Sequence, residues 1–273
     1  MKGQFRLGDG ATIAFECSDI EDRHSPQLPA ILFSNSLASD RTIWDAVVAA
    51  LPGWRLIRYD TRGHGGSTLG ERPAGIDTLG TDALAVLDAA GVKRAVVCGL
   101  SLGGLTAMWL GVHAAERVAG LVLANTAASY PPAQMWRDRY ATALTEGMAP
   151  IVEPTLQRWF KDEFRTAGHP VVKRIASMID ATDPRGYAEC ARVLEVADLN
   201  ASLPQIRCPS LVIVGTHDPS TPPSRGEELV AAIPNASMAA LDAAHMSCVE
   251  DPGGFASLLR DFSLSLMGDK VKV

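Results

Sequence analysis

Ala95-Val96-Val97-Cys98-Gly99-Leu100-Ser101-Leu102-Gly103 decides the fold: a short apolar, β-branched run enters a G-x-S-x-G pattern, and a helical stretch carries on to His113. A serine set on so tight a strand-to-helix turn has a strained backbone. The residues two places either side must then lack Cβ atoms, as Gly99 and Gly103 do. The helix beginning there aims free N–H groups and its positive dipole end at the serine. Ser101 is therefore the candidate nucleophile, against the competing reading of a chance glycine-rich turn.

Outward from this turn, apolar runs alternate with helical patterns. Ala11 to Glu16 follows a Gly8-Asp9-Gly10 turn and reads as part of a hairpin. Ala30 to Ser34, Arg55 to Tyr59, Ala95 to Cys98 and Val118 to Ala124 read as buried strands, with helices over Thr42 to Leu51, Asp77 to Ala90 and Ser101 to His113. Such alternation predicts an α/β fold with a parallel sheet covered by helices on both faces. From Tyr130 to about Leu199 helix follows helix, so 130–199 is expected to be a helical cap inserted into a core made of 1–129 and 200–273. Ser210 to Gly215 and Ser237 to Leu241 resume the strands, Glu227 to Ala232 and Pro252 to Leu266 the helices.

A serine hydroxyl needs a base, and the base needs an acid to fix its tautomer. Asp218 lies in a loop just beyond the Leu211 to Gly215 run, and His245 just beyond the Met238 to Leu241 run. Open α/β sheets bind ligands at such strand ends. The order Ser101, Asp218, His245 completes a candidate triad. His217 and His64 rank below His245 as the base: His217 should point away from Asp218, and His64 sits in a glycine-dense loop. His24, His113 and His169 read as surface or internally satisfied residues. Two N–H groups aimed at the developing oxyanion are worth about 3 kcal/mol or more each. Leu102 is expected to supply one and Ser36, in Ser34-Asn35-Ser36-Leu37, the other.

The balance of 31 acidic against 25 basic residues, scattered rather than striped, disfavours nucleic acid and anionic membranes as partners. A small molecule remains, and an anionic one would need a local cationic pocket. The five cysteines are far apart with no C-x-x-C pair, which predicts reduced thiols in a cytoplasmic protein and no metal site. No apolar stretch is long enough to span a bilayer, and the start of the chain has no export signal. A homo-oligomer is compatible with all of this.

At this point the chain resembles the 3-oxoadipate enol-lactonases of aromatic-acid degradation. The shared runs are Phe33 to Leu37, Arg58 to Gly65, Cys98 to Ser101, Leu123 to Ala128, Arg158-Trp159-Phe160 and Gly186 to Cys190. The resemblance implies an α/β-hydrolase fold with a mostly parallel eight-stranded sheet. It also implies cofactor-free opening of a small anionic lactone, 3-oxoadipate enol-lactone, to 3-oxoadipate. The substrate's free carboxylate would need a partner. Arg139, which matches a Trp-x-x-Arg pattern of the family's cap, is favoured over Arg137, with Trp136 and Trp159 as pocket walls; the alternative is that both arginines are solvated. Leu102 in place of a common Met, the extra Arg137 and a longer early loop over Asp22 to Pro29 depart from the family. A broader esterase or lactonase, or an acyltransferase with the same triad, stays open. Haloalkane cleavage is disfavoured by Ser101 where an aspartate would stand, and a non-catalytic receptor by the complete triad.

Overall fold

The computed structural model describes residues 1–18 and 28–267. The longer early loop expected at Asp22 to Pro29 therefore lies, through residue 27, outside the described residues, as does His24.

The first two strands, β1 (Lys2–Arg6) and β2 (Thr12–Cys17), pair as an antiparallel hairpin with Arg6 opposite Thr12. Next come β3 (Ala30–Ser34), α1 (Asp45–Ala49), β4 (Leu56–Tyr59), α2 (Ile76–Ala89), β5 (Ala95–Leu100), α3 (Leu102–His113) and β6 (Val118–Ala124). Five helices stand between β6 and the next strand: α4 (Ala133–Glu146), α5 (Ala149–Trp159), α6 (Asp162–Thr166), α7 (Pro170–Asp180) and α8 (Pro184–Val196). The chain then returns through β7 (Ser210–Gly215), α9 (Pro223–Ala232), β8 (Ala236–Leu241), α10 (Ser247–Glu250) and α11 (Pro252–Ser265).

The eight strands form one sheet in the order β1-β2-β4-β3-β5-β6-β7-β8. β1 and β2 are antiparallel to their neighbours, and every pairing from β4 to β8 is parallel. β3, β5 and β7 are buried at every residue, as their unbroken apolar runs require. The helix expected over Thr42 to Leu51 divides: Arg41–Trp44 is a 3-10 turn, capped by the Asp40 side chain on the Thr42 N–H at 2.8 Å, and α1 follows it. α9 begins earlier than expected, because Pro223 is preset for a first helical turn.

A buried ion network fastens the hairpin to the loop after β4. Arg62, fully enclosed, donates from Nε and Nη2 to the two oxygens of Asp82 on α2 at 2.6 and 2.7 Å, and from Nη1 to Asp9 in the β1–β2 turn at 3.1 Å. Burial works against the charge of both partners: the bidentate pairing keeps the Arg62 pKa raised, whereas at Asp82 burial outweighs the pairing and lifts the carboxyl above its ordinary value. Asp82→Ala would leave this cation buried with half its acceptors gone. A loss of about 3–5 kcal/mol is expected in urea unfolding; a loss under about 1 kcal/mol would mean that water reaches the site.

Candidate active site

Ser101 occupies the turn between β5 and α3 with φ 58° and ψ −113°, a left-handed φ that a residue with a side chain adopts only under constraint. The constraint is close packing. A Cβ on Gly99 would stand 2.1 Å from the Gly103 carbonyl oxygen, and one on Gly103 would stand 2.1 Å from the Ser34 carbonyl oxygen. α3 thus starts pressed against both its own strand and the end of β3. The Ser101 N–H donates to Ala124 O at 3.0 Å, and its carbonyl accepts from Thr126 Oγ1 at 2.8 Å, so β6 holds the turn from the side. The Tyr130 hydroxyl bonds Thr126 Oγ1 at 2.9 Å and accepts the Ala127 N–H at 3.2 Å, and both Tyr130 and Ser101 line the same cavity.

Asp218 and His245 stand beyond β7 and β8, both nearly enclosed, with Asp218 Oδ2 2.8 Å from His245 Nδ1. Asp218 Oδ2 also accepts from Asn125 Nδ2 at 3.0 Å and Thr221 Oγ1 at 2.6 Å, while Oδ1 accepts the N–H groups of Ser220 and Thr221 at 2.7 and 3.0 Å. Burial opposes the Asp218 charge, but His245 and these donors outweigh it and hold the carboxyl below the usual range. An ionised Asp218 on Nδ1 leaves His245 Nε2 free for another partner. Ser101 and His245 line one cavity of about 320 Å³, with Asp218 behind the histidine.

The other two candidates for the base, His217 and His64, fall elsewhere. His217 is exposed and bonds Asp242 at 2.8 Å. His64 is buried: Nδ1 faces the Arg62 carbonyl and Nε2 accepts the Ala38 N–H at 3.1 Å, and burial lowers its pKa, so it acts as a neutral strut. What it props is the loop after β3. Ala38 has φ 61°, the Ser36 carbonyl accepts from the N–H and hydroxyl of Ser39, and Asn35 Oδ1 accepts from Trp44 Nε1 at 2.8 Å. Among the described residues neither the Ser36 nor the Leu102 N–H finds a protein acceptor. Ser36 lines the cavity, and Leu102 begins α3 directly after Ser101.

Helices α4, α5 and α8 supply the far wall. Trp136, Arg139, Arg158, Trp159 and Tyr187 all line the cavity. Trp136 donates to the Tyr130 carbonyl at 2.7 Å, and the Arg139 guanidinium lies 4.7 Å over its ring. Arg137 points outward to Glu195 at 2.6 Å and is exposed. Arg158 was given no role from the sequence. It stands near Arg139, and burial together with that neighbouring cation pushes its pKa down to about 10. Burial lowers Arg139 too, opposed by the neighbouring Tyr187 hydroxyl. Among the described residues neither cation forms an ion pair, whereas Arg225 at the same cavity has Glu228 at 2.7 Å. Asn125, Thr221 and Tyr130 likewise carry no local sequence signal of the contacts they make here, although Asn125 and Arg158 lie in runs shared with the enol-lactonases.

The alpha/beta hydrolase fold family matches residues 29–252, and the chain belongs to it. Within that family it belongs with the 3-oxoadipate enol-lactonases. It is similar to 3-oxoadipate enol-lactonase 2 of Acinetobacter baylyi, 38% identical over 83% of this chain and 85% of that protein. It is similar also to enol-lactonase 1 of the same organism, 37% identical over 87% and 90%. Among solved structures, the enol-lactonase from Burkholderia xenovorans LB400 superposes with a TM-score of 0.88 at 38% identity, covering 92% of this chain and 96% of that one. A thermophilic esterase from Thermogutta terrifontis, solved with malate bound, gives 0.87 at 26% identity, covering 97% and 99%.

Asn125, at φ 44°, donates to Asp218 and to the Ala244 carbonyl at 3.1 Å and accepts from Ser247. Asn125→Ala would strand the Ala244 carbonyl and the Ser247 hydroxyl and take one donor from Asp218. A loss of about 2–3 kcal/mol in chemical unfolding is expected, and stability within about 0.5 kcal/mol of the parent would show that water replaces the amide.

Proposed function

We propose that this protein hydrolyses 3-oxoadipate enol-lactone to 3-oxoadipate through an acyl-enzyme on Ser101, with the helices of 130–199 as a cap over the site. The observation that carries the reading is the cavity itself, whose lining brings together the Ser101 hydroxyl, the His245 imidazole and two guanidinium groups that lack acidic partners among the described residues. A small carboxylate-bearing acyl compound matches both ends. The enol-lactone names of the relatives support the same substrate.

Ser101 Oγ attacks the lactone carbonyl while His245 Nε2 takes its proton. Negative charge gathers on the carbonyl oxygen, where the Ser36 and Leu102 N–H groups receive it. The ring C–O bond then breaks, and the imidazolium returns the proton to the departing enol oxygen, leaving an acyl-enzyme. The enol tautomerises to the ketone, which discourages re-closure. Water, deprotonated by His245, attacks the ester and frees Ser101 and the second carboxylate. Asp218 holds the imidazole in the required tautomer throughout. Arg139 and Arg158 grip the substrate's own carboxylate between the Trp136 and Trp159 walls; both guanidiniums recover the charge partner that burial denies them.

Loss of enol-lactone absorbance, followed beside a panel of simple esters and other lactones, is the direct test; activity only on neutral esters would sink the substrate reading. Ser101→Ala should lower turnover by about 10³-fold or more with an unchanged circular dichroism spectrum. Arg139→Ala and Arg158→Ala should each raise KM for the carboxylated lactone about 10-fold or more, and leave KM for a neutral aryl ester within about twofold. Equal effects on both substrates would remove the carboxylate role.

A further inference from the structure

The backbone that carries His245 is tied to the helical segment above it by one carboxylate. Glu250, the last residue of α10, accepts the Ala244 N–H with Oε2 and the Lys161 N–H with Oε1, the latter at 2.8 Å. Ala244 immediately precedes His245, and Lys161 lies two residues beyond Trp159. On the other flank of the histidine, the Met246 N–H donates to the Trp159 carbonyl at 3.0 Å. His245 is thus gripped on both sides by bonds whose far ends fall within residues 159–161, the same corner that sets Trp159 in the cavity wall. Glu250 is half-buried. An outer cluster runs alongside, with Lys161 Nζ 3.0 Å from Asp242 and His217 2.8 Å from the same carboxylate. Asp242 and His217 are exposed, so this cluster holds the corner weakly.

We propose that Glu250 is a positioning residue for His245, joining the backbone before the base and the corner after Trp159 into one piece that holds the imidazole against Ser101. The proposal rests on the reading of Ser101 as nucleophile and His245 as base. Its two carboxylate oxygens are both needed. Glutamine keeps one acceptor and turns an N–H donor toward the other backbone N–H, so one end of the tie must open.

The test is the rate at which a fluorophosphonate labels Ser101, which depends on His245 and on no carboxylated substrate. Folded Glu250→Gln is expected to label about 10- to 100-fold more slowly, the scale of a misplaced catalytic group. Its kcat on a neutral aryl ester should fall with the label while KM stays within about twofold. Asp242→Asn, which removes only the exposed cluster, should label within about twofold of the parent. A merely structural Glu250 would lower the melting temperature and leave labelling unchanged, and that result overturns the proposal. Should Glu250→Gln fail to fold, Glu250→Asp keeps both acceptors on a shorter arm and should label several-fold more slowly; parental labelling by it overturns the proposal equally. A wild type that resists the label overturns the serine reading and this one together. A labelled wild type inert toward enol-lactone overturns the substrate reading alone, and the Glu250 comparison still decides the proposal.

Discussion

The contact on which the rest of the molecule depends is the approach of α3 to β3 and β5 around Ser101. Backbone meets backbone there with no room for a Cβ on Gly99 or Gly103. The positive φ of Ser101 costs on the order of 1–3 kcal/mol, so the turn persists only because parallel strands on either side over-determine it. β3, β5 and β6 are in register through Ser34, Gly99 and Leu123. Their common ends deliver the Ser36 loop, Ser101 and Asn125 to one edge of the sheet. Once β7 and β8 are added in parallel, Asp218 and His245 must emerge at the same edge. Topology alone collects five chain segments there.

Electrostatics at that edge follow a single pattern. Every buried charge on the core side is answered: Arg62 by Asp82 and Asp9, Asp218 by five donors, Asp60 by the Arg41 guanidinium and two N–H groups. Across the cavity the rule lapses. Arg139 and Arg158 are partly desolvated and repel each other, and the Tyr187 and Thr155 hydroxyls bring no opposing charge. On the proposed reading, an arrangement unfavourable by itself becomes favourable when an anion enters, and the discrepancy belongs to recognition rather than to folding.

The strand pattern, the elbow and the loop positions of Asp218 and His245 were legible because each is written locally, in apolar runs and in glycines that a tight turn demands. The expected cap was written in the run of helical patterns from Tyr130 to Leu199, and of its two arginines Arg139 lines the cavity while Arg137 turns outward to Glu195. Arg158 escaped because its partner Arg139 lies on another helix, and nothing local tells a cation facing a cavity from one facing water. His64 looked like a turn residue for the same reason: its role is fixed by the Ala38 N–H, 26 residues away in sequence. Gly186 stood in a quoted run without a reason until its contact with Gly63 appeared, where a Cβ would lie 2.1 Å from the Gly63 carbonyl oxygen. That contact lets α8 descend far enough for Tyr187 to reach the cavity.

A shared constraint links these long-range features. For the proposed chemistry a serine, an imidazole and the wall that carries Arg139 and Arg158 must agree in position to fractions of an ångström, yet they come from a strand-to-helix turn, a loop and a separate set of helices. Side-chain bonds such as those of Asp218 to His245 and Asn125 orient the groups but do not by themselves fix where the main chain places them. The structure uses backbone groups instead: Ala38 N–H on His64, Met246 N–H on the Trp159 carbonyl, and the Ala244 and Lys161 N–H groups on Glu250. Because these bonds fix main chain, side chains at Ser36, Trp159 and His245 can differ in chemistry while their origins stay put. The pocket can then vary its cations and aromatic walls without disturbing the machinery at the sheet edge.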